Sequence, residues 1–250
     1  MKLLLIILFL VAAAPLHAQE ATFQFDQANK LYRDGEMQKA VDMYEQIAHN
    51  GYESPVLYYN LGNAYFKLKN IPAAILNYER AKRLAPHDED IAYNLRLANI
   101  RIIDKIEPIP QLFFIDWWNA LMNLFSSSGW GMIGIFSLWG TVFCGALFWL
   151  IRSMTVQRMS FFLGLMFVLI AILAFTGVVQ QFNHEQNDRT AIIFSASVSA
   201  KSAPDAQSTD LFVLHEGVKV ELLDAVGNWS KIRLGDGKIG WVPIESTQAI

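Results

Sequence analysis

The chain has 250 residues, of which 53 % are hydrophobic and 17 % charged, and its formal net charge is −3 at pH 7. Soluble domains carry about 25 % charged residues, so this composition points to membrane segments and excludes long disorder. The charge balance offers no basic footprint for nucleic acid, and a single cysteine excludes an internal disulfide or a cysteine-rich zinc site.

Residues 1–18 read as a secretory signal peptide. Lys2 is the positive start, Leu3 to Ala14 the apolar run, and Ala18 the small residue before a cleavage point at Gln19. Leu16 is larger than the residue usual near such a point, which leaves an uncleaved anchor as the alternative. Both readings place the residues that follow outside the cytoplasm.

Residues 19–107 predict an all-α repeat domain with repeats at 21–54 and 55–88 and a capping helix over Asp90–Ile106. In the second repeat Tyr58, Leu61, Gly62 and Tyr65 fall on one helix, and Ala74, Tyr78 and Ala81 on the next. Small residues at 62 and 74 let the helices cross closely, and Pro86 ends the unit because it cannot donate a backbone hydrogen bond. This pattern resembles a tetratricopeptide repeat, whose period is 34 residues. Shifting back by one period gives Ala28, Leu31, Ala40 and Tyr44, a weaker first repeat. The resemblance implies a concave groove for a protein partner, lined by Phe25, Asn29, Tyr32, Tyr59, Asn63, Phe66 and Lys67, with Arg33 behind. Phe25 and Tyr59 stand where a carboxylate-clamping lysine would be, so the groove is expected to be aromatic and apolar. The alternative is that these aromatics pack against a neighbouring helix.

Residues 108–128 read as an interfacial amphipathic segment, rich in Phe113, Phe114, Trp117 and Trp118, with Asp116 its only charge. A partner-binding helix is the alternative. Residues 130–151 and 159–180 predict two transmembrane helices, each long enough to cross the hydrocarbon core. The loop 152–158 between them carries Arg152 and Arg158 and no acidic residue, which places it in the cytoplasm. No ionisable group interrupts the apolar runs, which argues against transport.

Residues 186–250 predict a small all-β barrel with strands at Ala191–Phe194, Asp210–Leu214, Val218–Leu223, Trp229–Leu234 and Lys238–Val242. Gly227–Asn228 and Asp236–Gly237 are turn signals. Trp229, Ile232, Gly237, Gly240, Trp241 and Val242 resemble the closing strands of the bacterial SH3-like domain. That resemblance implies a non-catalytic binding groove, with Leu214, Trp229 and Trp241 as its candidate lining. Either tryptophan could instead belong to the core.

No catalytic motif appears, and His49, His87, His184 and His215 read as isolated surface histidines. The chain is therefore expected to be no enzyme and to hold no cofactor or metal. The whole order resembles the BatE-like family of aerotolerance-operon proteins. The resemblance implies an inner-membrane scaffold facing the periplasm. Its partners would be von Willebrand A-domain membrane proteins and a MoxR-type ATPase, in tolerance of oxygen or envelope stress. Two other readings stay open: a peptidoglycan-binding envelope sensor or anchor, and a c-type cytochrome assembly factor.

Overall fold

The computed structural model describes residues 20–107, 112–187 and 189–250. The expected signal peptide lies outside the described residues. The chain divides into two compact units: Met1–Pro108 together with Arg189–Ile250, and Ile109–Asp188 between them.

The first unit begins with helices α1 (residues 20–33), α2 (Met37–His49), α3 (Pro55–Lys67), α4 (Ile71–Leu84) and α5 (Glu89–Asn99). Their starts are written in the sequence. Ser54 Oγ accepts from the Leu57 N–H at 3.1 Å, with Pro55 behind it as the first helical residue. Asn70 and Asp88 cap α4 and α5 in the same way, and Glu89 and Asp90 add negative charge at the α5 start. Gly62 lies at the α3–α4 crossing, where an added Cβ would stand 2.7 Å from the Tyr78 ring. The helices bury Ala28, Ala40, Val41, Tyr44, Leu57 and Leu61 in one cluster and Ala74, Ile75, Leu76, Tyr78, Leu95 and Ala98 in the next. Each large side chain so buried is worth about 1.5–3 kcal/mol.

The capping helix is shorter than expected. It ends at Asn99, where the Lys105 ammonium binds the free carbonyls of Asn99 at 2.8 Å and Ile100 at 3.0 Å. Residues 100–107 continue as an irregular strap.

The barrel has seven antiparallel strands: β1 (Thr190–Ile193), β2 (Ser197–Lys201), β3 (Asp210–His215), β4 (Lys219–Val226), β5 (Trp229–Arg233), β6 (Ile239–Pro243) and β7 (Thr247–Ala249). Their order is β3-β2-β6-β5-β4-β1-β7. β2 and β7 are additional to the five strands predicted. Gly227 and Asn228 form the two-residue β4–β5 turn, and the positive φ of Gly227, 57°, is what a type II′ turn asks of its first residue. Ala191, Ile193, Ala200, Leu214, Val218, Val220, Ile232 and Val242 form the core.

The second unit holds α6 (Phe113–Met122), α7 (Ser127–Leu150) and α8 (Met154–Asn187). α7 and α8 pair along their length, with Gly140 beneath the Phe167 ring and Gly177 beneath Trp130. Both are long and apolar enough to cross a membrane, and most of their side chains are uncovered. Their connection is only Ile151–Ser153, shorter than the loop expected at 152–158, and Arg158 sits within α8. The turn is tight because helical backbone bonds continue from residue 154 onward.

Candidate functional site

The repeat face is built on a polar ladder. Asn29 Oδ1 accepts from the Tyr44 hydroxyl at 2.6 Å and from Asn60 Nδ2 at 2.9 Å. One period later, Asn63 Oδ1 accepts from the Tyr78 hydroxyl at 2.7 Å and from Asn94 Nδ2 at 2.9 Å. Each asparagine thus ties three helices together. Both carbonyl oxygens are taken within the fold, where a buried phenol needs an acceptor. Burial pushes the Tyr44 phenol up to about 12, and that of Tyr78 higher still. Asn94 stands to Asn63 as Asn60 does to Asn29, so α5 is bonded to α3 as α3 is to α1.

Phe25 and Tyr59 also take part in the packing of the repeats. Phe25 packs on Tyr44 at 5.8 Å between centroids, and Tyr59 on Tyr78 at 6.1 Å. Tyr59 also accepts from Asn94 Nδ2 at 2.9 Å. The Arg101 guanidinium lies 5.9 Å from the Phe66 ring centre. Phe25, Asn29, Tyr32, Tyr59, Asn63 and Phe66 are all half-buried, and Lys67 is exposed.

The barrel packs against α4 and α5. Ile192, fully buried, enters the cluster of Ala74, Ile75, Leu95 and Ala98, and Phe194 and Ile250 pack beside it. Lys219 pairs with Glu79 at 2.8 Å. Arg80 donates to the Ala249 carbonyl at 2.9 Å and Arg83 to the Ile250 carbonyl at 2.7 Å, which covers the β7 edge. Burial lowers the Arg80 pKa. The strap fastens the other side: Ile102 lies against Gly217, Asp104 binds His215, and Ile106 packs on the barrel core. His215 is thus partnered, contrary to its reading as isolated. Its partner is distant in sequence and carries no local signature.

A cleft of about 870 Å³ opens beside this junction, between Asp42 and Glu45 on α2, Arg80 and Arg83 on α4, and Gln248 and Ala249 on β7. No sequence signal pointed to it.

On the barrel, Trp229, Lys231 and Arg233 share the outward face of β5, with Ser230 and Ile232 turned inward. Trp241 and Pro243 lie on the same outward face of β6. Register places Trp229 opposite Pro243, and Trp241 opposite Lys231, whose ammonium lies 5.8 Å from the ring centre. Both tryptophans are half-buried and outside the core. Leu214 is different. Its side chain is 2 % exposed within the barrel core, and the residue borders a cleft shared with Ile106, Phe212 and Asp236. The alternation of β3 turns Phe212 and Leu214 inward and leaves Leu211 and Val213 outside.

Residues 55–88 match the tetratricopeptide repeat family, and residues 197–247 match the bacterial SH3 domain family. No curated protein matches the chain. The two matches coincide with α3–α4 and with strands β2–β6. Both families serve as interaction modules, so the chain carries domains suited to binding protein or peptidoglycan. Among the described residues there is no group of three potential metal ligands.

Proposed function

We propose that the protein is a non-enzymatic scaffold of the bacterial inner membrane whose repeat face and barrel face together hold protein partners. The observation that carries this reading is the junction between the two modules. Residues before Pro108 and after Arg189 fold into one unit although the apolar helices lie between them. Two crossings return a chain to the side it left, as such a unit requires. A rigid pair of faces fixes the distance between two partners, and two weak contacts then act together through effective concentration.

The side we infer is the periplasm. Arg152 and Arg158 lie at the α7–α8 connection with no acidic residue near them, which favours a cytoplasmic turn. The partners we infer are von Willebrand A-domain membrane proteins, acting with a MoxR-type ATPase in tolerance of oxygen or envelope stress. The support for these names is the domain order alone.

A photo-crosslinking residue at Lys67, which is exposed, tests the reading in intact membranes. Capture of a von Willebrand A-domain protein supports it. Capture of cytochrome assembly proteins, or of nothing beyond lipid, contradicts it. A second reading, a peptidoglycan anchor, is favoured by the outward Trp229–Trp241 face, and its signature is retention of the detergent-solubilised protein on cell-wall sacculi.

A further inference from the structure

We infer that α6 is a third membrane-embedded element, docked by its outer face into zwitterionic phospholipid at the boundary between acyl chains and headgroups. How α6 is held leads to this. Trp118 Nε1 donates to Gln180 Oε1 at 2.8 Å, and Gln180 Nε2 donates to Asn119 Oδ1 at 3.2 Å. Gln181 Nε2 donates to the Met122 carbonyl at 2.8 Å and to Asn123 Oδ1 at 3.0 Å. Trp130 Nε1 donates to that same carbonyl at 2.9 Å, above a Met122 that is fully buried. The Trp118 and Trp130 indoles and the Gln180 and Gln181 amides are thus committed to the inner side.

What faces away is apolar. Phe113 is 81 % exposed and Trp117 83 %, with Phe114, Leu121 and Leu124 extending the surface. At 3.6 residues per turn Phe113 and Trp117 lie opposite Asn119 and Met122, and Asp116 and Asn123 share one flank. A helix in water does the reverse, turning its polar stripe outward. An uncovered patch of this kind calls for an apolar medium.

Continuity says which medium. α6 leads directly into α7, and its hydrogen bonds reach the last turns of α8, where the apolar run gives way to Gln180 and Gln181. That is the depth at which tryptophan gathers at a membrane surface. α7 and α8 expose apolar side chains as α6 does, among them Phe136, Trp139 and Phe175. Among residues 112–130 there is no lysine or arginine and only one acidic residue, Asp116, so nothing draws an anionic headgroup. Apolar burial alone supplies the affinity.

The test uses the full chain with Cys144→Ser, reconstituted in phosphatidylcholine vesicles and carrying one nitroxide at Phe113→Cys, Trp117→Cys or Leu124→Cys. Val213→Cys, on the outer face of the barrel, is the water-exposed control. The expected result is severalfold more collision with oxygen than with a water-soluble nickel complex at the three α6 sites, and the opposite at the control. Replacing part of the lipid with phosphatidylglycerol should change nothing. Three results overturn the inference. One is free access of nickel to all three α6 sites. Another is spin–spin broadening that vanishes on dilution with unlabelled protein, which marks a second copy. The last is a depth seen only with the anionic lipid. Three separate labels at outward positions keep the test decisive if one variant does not fold.

Discussion

Asp104 holds His215 twice: Oδ2 accepts the histidine main-chain N–H at 2.7 Å and Oδ1 lies 3.1 Å from the ring Nδ1. The two residues stand on opposite sides of the apolar helices in sequence. Asp104→Ala leaves a half-buried N–H without its acceptor. The expected loss is about 1–3 kcal/mol of unfolding free energy. Guanidinium unfolding of the solubilised full chain, followed by tryptophan fluorescence, measures it. An unchanged midpoint would mean that the pair is incidental to docking.

Gly217 is the tightest point of the junction. Its φ is +89°, and an added Cβ would lie 2.4 Å from Ile102 Cγ2. Gly217→Ala therefore meets both backbone strain and a clash. We expect a loss of about 2–5 kcal/mol, from a left-handed penalty of about 1–2 and overpacking of about 1–3. Adding Ile102→Ala relieves the clash and leaves the strain, so the double variant should lie below the sum of the singles. Strict additivity would place the cause elsewhere.

The asparagine ladder makes a prediction about the groove. Asn63→Ala leaves the Tyr78 hydroxyl and Asn94 amide without their shared acceptor. It should destabilise the protein by about 1–3 kcal/mol. Lys67→Glu should instead leave unfolding unchanged and weaken partner capture. Reduced stability in the lysine variant, or none in the asparagine variant, would reverse the roles assigned to the two residues.

Alkaline pH should unlock the same ladder. Burial lifts the Tyr44 phenol from 10.0 to about 12. The folded state holds this proton more tightly than the unfolded chain does. Its contribution is complete below pH 10 and is lost as pH rises toward 12. Absorbance titration should show tyrosines that ionise only as helical circular dichroism falls. Full ionisation near pH 10 with the helices intact would contradict the packing described.

The repeat was legible because its steric demands are local. Gly62, Ala74 and Tyr78 meet within one helix pair, and the 34-residue period repeats the demand. The same period would have shown Asn94 as the echo of Asn60. β2 was missed because Ser197, Ser199 and Ala200 give little β-pattern around Val198, and β7 because three residues carry no period. The burial of the Leu214 side chain was not legible because alternation leaves open which face of a strand is the inner one. The docking of barrel on repeats was not legible at all. It joins Ile192, Arg80 and Ala249 across an apolar segment, and no spacing rule reaches that far.

Crosslinking across the junction tests the central claim most directly. Glu79 and Lys219 pair at 2.8 Å, one on α4 and one on β4. With Glu79→Cys, Lys219→Cys and Cys144→Ser in the full chain, a short bis-maleimide added to native membranes should form an intrachain link that survives dilution and shifts gel mobility. That result places the repeats and the barrel in one body on one membrane side. Modification of both cysteines without a link would show the modules apart, and the two-faced scaffold would not stand.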